Sequence, residues 1–243
     1  MKPVLSVIIP MWNEENYLRS CLQSLKNQKT SFPYEVILVD NNSSDNSLKI
    51  ASKFPVSIVS EKRQGRSYSR NKGIELARGK FIVLTEADCI LPSDWLQTIY
   101  SHFASHPEII GLAGTSFFYN SSDYQKYLLK LLIISSSLMY RFFSGNNTLR
   151  GQNSAFRKYI LKKTGTFNPD YVPFDDLEFG FRAGKLGPID YLPELIVKTS
   201  NRRIKKRLFK SFLDYWTSVI KLFVLKRKGN ENWYPSIRSD KMN

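Results

Sequence analysis

The run Gly79-Lys80-Phe81-Ile82-Val83-Leu84-Thr85-Glu86-Ala87-Asp88-Cys89 constrains the fold of this chain more than any other stretch. A turn residue opens it, an unbroken apolar segment follows, and two carboxylates stand one residue apart where that segment ends. An apolar run of this length, closed by Leu91-Pro92-Ser93-Asp94, predicts a parallel strand buried on both faces. In open α/β sheets, ligands bind beyond the carboxyl ends of such strands. Two carboxylates there suit a hard divalent cation, which takes oxygen ligands and bridges to substrate phosphates. The plain alternative is an acidic strand-to-helix turn, with Asp88 solvated and Asp94 helping to start the next helix.

The preceding residues repeat one pattern. Val4–Pro10 predicts a strand. Asn13 then reads as a helix N-cap with Glu14 and Glu15 in the first turn, and Leu18, Cys21, Leu22 and Leu25 recur at helical spacing. Tyr34–Asp40 predicts a second strand ending in a carboxylate, Ser47–Phe54 a short helix, Val56–Ser60 a third strand, and Gly65–Ala77 a third helix. Strand and helix alternating at this spacing predict a mostly parallel sheet with right-handed crossovers. Trp95–Phe103 should be helical and Ile109–Gly114 another strand. After that the alternation stops.

With 243 residues, 42% of them hydrophobic, the chain can bury one sizeable core. Cys21 and Cys89 are its only cysteines, which gives no disulfide framework and makes a reducing compartment the expectation. Met1-Lys2-Pro3 runs straight into the first strand, unlike a signal peptide. His102 and His106 have no partners at metal-ligand spacing and read as surface residues.

The formal net charge of +15 calls for an anionic partner, and eleven Lys/Arg between Lys198 and Lys228 face a single acid, Asp214. Within that stretch Leu208, Phe209, Phe212, Leu213, Trp216, Val219, Ile220, Phe223 and Val224 form one helical stripe over Arg207–Lys226. Such a basic amphipathic helix can lie in an anionic membrane interface or pack on the core. Tyr127–Ile134 is the most apolar stretch. Lys130 and Ser135–Ser137 leave it short of the ~18 unbroken apolar residues of a membrane span, so it reads as a buried helix, with lipid contact as the alternative.

Carboxylates recur at predicted strand or loop ends: Glu14, Asp40, Glu86/Asp88 and Asp175/Asp176. Adjacent carboxylates disfavour each other's ionisation, so one of the last pair can have a raised proton affinity and act as a general base; helix N-terminal charging is the alternative. The order of these motifs resembles the family 2 glycosyltransferases, inverting nucleotide-sugar enzymes with the GT-A-type fold. The resemblance covers roughly Leu5–Arg203. It rests on Val7-Ile8-Ile9-Pro10-Met11-Trp12-Asn13-Glu14, Val39-Asp40-Asn41-Asn42-Ser43-Ser44-Asp45, Ser69-Arg70-Asn71-Lys72-Gly73-Ile74, Thr85-Glu86-Ala87-Asp88-Cys89, Gly151-Gln152-Asn153-Ser154-Ala155-Phe156-Arg157 and Asp175-Asp176-Leu177-Glu178.

That resemblance implies an α/β, GT-A-type fold: a Rossmann-like, mostly parallel sheet flanked by helices. It divides residues 1–203, a single glycosyltransferase domain, into a nucleotide-sugar half (1–118) and an acceptor half (119–203), followed by the basic helix and tail (204–243). Pro10, Trp12, Glu14 and Asp40 would line the base and ribose, and Arg66 and Arg70 would contact nucleotide or phosphate. Asp88 would hold a divalent metal, Mn or Mg, and Glu86 would contact ribose or metal. Gly151, Gln152 and Asn153 would lie on the acceptor side. Asp176, beside Asp175, would take the proton of the acceptor hydroxyl, while Arg202 or Arg203 met the leaving diphosphate.

Two departures stand out, since Glu86 and Asp175 occupy places where the family usually has Asp and Glu. No Gln-x-x-Arg-Trp and no run of transmembrane helices is present, unlike a processive synthase. The implied enzyme moves one sugar from a UDP- or GDP-sugar to a glycan or lipid-linked acceptor in cell-envelope assembly. It would be cytoplasmic, peripheral on the inner face of a membrane. A polyprenyl-phosphate sugar synthase is the enzymatic alternative. A basic nucleic-acid-binding protein ranks below both, because carboxylates at the sheet mouth would repel phosphates, so no nucleic acid partner is expected.

Overall fold

The apolar run of the first strand, β1 (Leu5–Met11), is explained by what lies on either side of it. Leu5, Val7, Ile9 and Met11 enter one core with Leu18, Leu22, Trp95 and Phe103, while Ile8 enters a second with Ile74, Phe156 and Phe179. Strand side chains alternate between faces, so a strand covered on both sides must be apolar at nearly every position. The computed structural model describes residues 1–119, 123–171 and 174–200, together with Arg202, Thr217 and Ile220. The basic C-terminal helix and Arg203 lie outside the described residues.

Along the chain, β1 is followed by α1 (Leu18–Lys26), β2 (Tyr34–Asp40), α2 (Ser47–Ala51), β3 (Ser57–Ser60), α3 (Arg66–Leu76) and β4 (Phe81–Leu84). Next come β5 (Cys89–Ile90), α4 (Trp95–Ser105), β6 (Gly111–Tyr119), α5 (Asp123–Ser144), β7 (Ser154–Arg157), α6 (Leu161–Thr164), α7 (Asp175–Gly184) and β8 (Ile189–Ser200). The eight strands of the described residues join one sheet in the order β3-β2-β1-β4-β7-β6-β8-β5. The β3-β2-β1-β4 part is wholly parallel. In the remainder β7 runs antiparallel to β4 and β6, β6 and β8 are parallel, and β5 runs antiparallel to β8. Close packing of α3 on the sheet needs Gly73, where a Cβ would lie 2.5 Å from Ile8 Cγ2.

Three expectations change. Asn13 is not a helix cap: α1 starts at Leu18, and Asn13 adopts a left-handed φ of 53°. Its amide donates to Ser43 Oγ at 3.0 Å and its Oδ1 accepts from the Ser44 amide at 2.8 Å. Stitching the ends of β1 and β2 together satisfies more polar groups than a cap would. The strand expected at Ile109–Gly114 runs instead from Gly111 to Tyr119, because its partner β8 is long enough to extend it. The apolar stretch Tyr127–Ile134 is helical but not buried throughout, since Tyr127, Leu131 and Ile134 are exposed. Among the described residues no helix is long and apolar enough to cross a membrane.

Candidate active site

The acidic turn after β4 is built by its own backbone and two thiols. The Glu86 carbonyl accepts from the Cys89 amide at 3.1 Å and from Cys21 Sγ at 3.5 Å. Both cysteines are buried and free, and burial pushes both thiols well above their ordinary pKa. Pairing of β5 with β8, Cys89 opposite Thr199, brings the end of β8 over the turn.

Asp88 is 5% exposed. Its Oδ1 lies 3.4 Å from Thr199 Oγ1, and its Oδ2 lies 3.3 Å from Arg202 Nη2. The same Arg202 nitrogen stands 2.6 Å from Glu14 Oε1, while the guanidinium lies over the Tyr17 ring, 4.5 Å from its centroid. Arg202, expected at the diphosphate, thus spans Glu14 and Asp88 with a single positive charge. Tyr119 adds a hydroxyl to the Asp88 carbonyl at 3.4 Å, and burial followed by the Asp88 charge pushes its phenol up to about 12.

Glu86 points elsewhere. Its Oε1 lies 3.6 Å from Arg66 Nη1 and 3.6 Å from Arg70 Nη2. The same two arginines, one turn apart on α3, hold Asp175 at the start of α7. Arg66 Nη2 lies 2.9 Å from Oδ1, Arg70 Nη1 lies 2.9 Å from Oδ2, and Ser67 Oγ donates to Oδ2 at 2.9 Å. Arg70 and Asp175 are both 0% exposed. Arg70, expected at the nucleotide, is turned away from solvent onto two carboxylates, because a buried guanidinium requires paired acceptors. Arg66 is shared in the same way but keeps its side chain about a quarter exposed, at 26%.

Asp175 and Asp176 titrate in opposite directions. Burial alone would raise Asp175, but Arg66 and Arg70 outweigh it and hold the carboxyl below its usual range. Asp176 is raised: burial disfavours its charge and neighbouring Asp175 adds repulsion, against the pull of Arg66, Arg70 and the Gly151 amide. It keeps some exposure at the mouth, although protein crowds the carboxyl on most sides. The adjacent pair therefore divides into a locked ion-pair partner and a carboxylate with raised proton affinity.

The loop before β7 joins the two acidic regions. Gly151 N–H donates to Asp176 Oδ2 at 3.2 Å, and the next carbonyl, Gln152 C=O, accepts from Thr85 Oγ1 at 3.2 Å. Gly151 leaves room for Arg70, whose Nη2 would stand 1.7 Å from a Cβ. Asn153, expected on the acceptor side, is instead fully buried. It accepts from Trp95 Nε1 at 2.9 Å and donates to the Thr115 and Leu195 carbonyls at 2.9 and 2.8 Å, so it supports the loop from beneath. At the other end of the mouth, Asp40 is 5% exposed and receives the Ser43 amide at 3.2 Å, beside half-buried Pro10 and Trp12 on the strand and turn of β1. Tyr17, Ser67, Thr85 and Tyr119 were not singled out from the sequence. Ser67 had a signal there, sharing the α3 face of Arg66 and Arg70, and Thr85 opens the Thr85–Cys89 motif.

Among the described residues no three His, Cys, Asp or Glu side chains cluster as a metal cage. The Asp88 carboxylate nonetheless fits a hard divalent cation that shares its oxygen ligands with a diphosphate. The spot between Glu14 and Asp88 already draws a cationic group of the protein itself.

A family model, "Glycosyl transferase family 2", matches residues 6–165. The chain belongs to glycosyltransferase family 2. A relative of this family in Methanococcus voltae, a dolichyl N-acetyl-alpha-D-glucosaminyl phosphate 3-beta-D-2,3-diacetamido-2,3-dideoxy-beta-D-glucuronosyltransferase, is 26% identical over 233 residues, covering 87% of this chain and 71% of that protein. The matches to five further curated relatives span 18% to 42% of those proteins' length. Among solved structures, the mannosyltransferase PcManGT from Pyrobaculum calidifontis, in complex with GDP-Man and Mn2+, superposes with a TM-score of 0.70 at 19% identity, over 98% of this chain and 68% of that one. TarS 1–349 of S. aureus in complex with UDP-GlcNAc gives 0.67 at 22% identity, over 93% and 66%. The glycosyltransferase fold is thus of the GT-A type, a mixed α/β sheet flanked by helices.

Proposed function

We propose that the protein is a metal-dependent, inverting glycosyltransferase that moves one sugar from a nucleoside-diphosphate sugar to an acceptor hydroxyl in cell-envelope assembly. The observation that carries this reading is the Gly151–Gln152 bridge. Its two hydrogen bonds tie Asp176, a carboxylate of raised proton affinity, to Thr85, three residues before the cation-drawing Asp88. Single displacement needs this division, with charge neutralisation at the leaving diphosphate and a base at the attacking oxygen.

In this mechanism Pro10, Trp12 and Asp40 line the base and ribose. Asp88 holds the metal, which supplies Lewis-acid neutralisation of the developing diphosphate charge. Arg202, released from Glu14 and Asp88, adds its charge on the same side. Asp176 accepts the proton of the acceptor hydroxyl as that oxygen attacks the anomeric carbon from the face opposite the diphosphate. Asp175, locked by Arg66 and Arg70, keeps Asp176 in place and its proton affinity up. The structures of relatives with UDP-GlcNAc and with GDP-Man and Mn2+ support this class of donor.

Calorimetric titration with UDP and GDP, with and without manganese, on wild type and Asp88→Ala tests the donor half. The expected result is binding of one nucleotide that needs the metal and is lost in the variant. Metal-indifferent binding that survives Asp88→Ala would refute the assignment.

A further inference from the structure

Tyr124, Tyr127, Leu131, Ile134, Leu138 and Phe142 of α5 are 45% to 84% exposed. Their gaps of three, four, three, four and four residues put all six on one side of the helix, a stripe about 27 Å long at 1.5 Å per residue. The opposite side is buried through Ser136 and Tyr140. Six large apolar side chains in one continuous row, unlike single scattered ones, call for a covering partner.

We propose that this face of α5 seats the protein on an anionic lipid surface. Two observations choose lipid over protein. The first is charge: the chain carries +15, and α5 itself has Lys126, Lys130 and Arg141 against the single acid Asp123. The second is area. A strip 27 Å long and about 10 Å wide covers roughly 270 Å², far short of the ~800 Å² per partner of a stable protein interface. A helix lying in the headgroup layer needs no such area, only apolar side chains on one face and cationic attraction.

The buried face of α5 ties this seat to the base. Tyr140 O–H donates to the Leu177 carbonyl at 3.1 Å, one residue past Asp176. Arg150, beside Gly151, donates to Ser137 Oγ at 2.8 Å. The lipid surface therefore meets the acceptor side of the cleft, and the acceptor class is a lipid-anchored hydroxyl. This last step rests on the role proposed for Asp176, whereas the docking itself does not.

The test is flotation of the full chain with phosphatidylglycerol/phosphatidylcholine vesicles, comparing wild type with the double variant Leu131→Glu, Leu138→Glu. Thermal midpoints and nucleotide binding are measured in parallel. Vesicle partition should fall about tenfold or more in the variant, with midpoint and nucleotide binding unchanged. Arg141→Glu should weaken partition at low salt only. Undiminished flotation of the double variant would overturn the proposal. So would a midpoint several degrees lower without vesicles, which would mean that the chain's own C-terminal residues cover the stripe. A wild-type dimer that the variant abolishes, with no flotation of either, would assign the stripe to a second copy and also overturn it. Because nucleotide binding is read separately, failure of the donor assignment leaves this result interpretable.

Discussion

Replacing Asp175 with Asn changes little volume but removes the charge that two arginines and a serine share. Arg66 Nη2, Arg70 Nη1 and Ser67 Oγ each lie 2.9 Å from its oxygens, and Arg70 is completely buried. An amide offers one acceptor oxygen and turns an N–H₂ toward a donor, so at least one guanidinium contact becomes repulsive. Breaking a buried pair by removing one partner costs about 3–5 kcal/mol. At ~2–4 °C per kcal/mol for a domain of this size, the thermal midpoint of Asp175→Asn should drop by about 6–20 °C at pH 7.

The pH dependence is a second check. The folded-state pKa of Asp175 is depressed, so its contribution is fully present above the unfolded carboxylate value near 4 and is lost as pH falls through the folded value. The gap in midpoint between wild type and variant should hold from neutral pH to about pH 4 and close below it. Scanning calorimetry across that range measures it. Without its charged neighbour, Asp176 becomes a weaker base, so the acid limb of kcat/KM should move to lower pH. A midpoint within ~2 °C of wild type, with no closing of the gap in acid, would refute the clamp.

Three shorter predictions follow from the same geometry. Asp176→Asn should reduce sugar transfer by about 10²–10⁴-fold yet raise the thermal midpoint at neutral pH. The wild-type carboxyl has a raised folded pKa, which costs stability above it and nothing below the unfolded value, so the variant's advantage should vanish near pH 4. Gly151→Ala should lower the midpoint by several degrees and cut transfer, because its Cβ would stand 1.7 Å from Arg70 Nη2 and Arg70 has no solvent to move into. Arg202→Gln should leave Glu14 and Asp88 without a shared charge, so manganese should raise the variant's midpoint more than the wild type's in a thermal-shift titration.

What could be read in advance divides along a physical line. The parallel half was legible because strands covered on both faces must be apolar throughout, and β1, β2 and β4 announce themselves as such runs. The acidic turn was legible because a carboxylate at a strand end has no reason to be there for the core. The α5 stripe was not, since a helix with one apolar face reads the same whether that face meets protein, lipid or water. Three positions show the second limit. Asn13 has good capping chemistry, but the partner it takes, Ser44, lies 31 residues away. Asn153 sits in a motif of the acceptor side, yet its three hydrogen bonds reach α4, β6 and β8 beneath the surface.

The family resemblance implied a nucleotide or phosphate contact for Arg70. Its destination was decided by Asp175, 105 residues further on, and by a glycine at 151 that leaves space for it. Local patterns specify which groups reach the mouth of the sheet. Which of them face the ligand and which lock each other is a question of long-range charge pairing under desolvation. The Asp175/Asp176 pair joins the two levels: sequence adjacency requires that one carboxyl be harder to ionise, and burial, with Arg66 and Arg70 placed on Asp175, decides that it is Asp176.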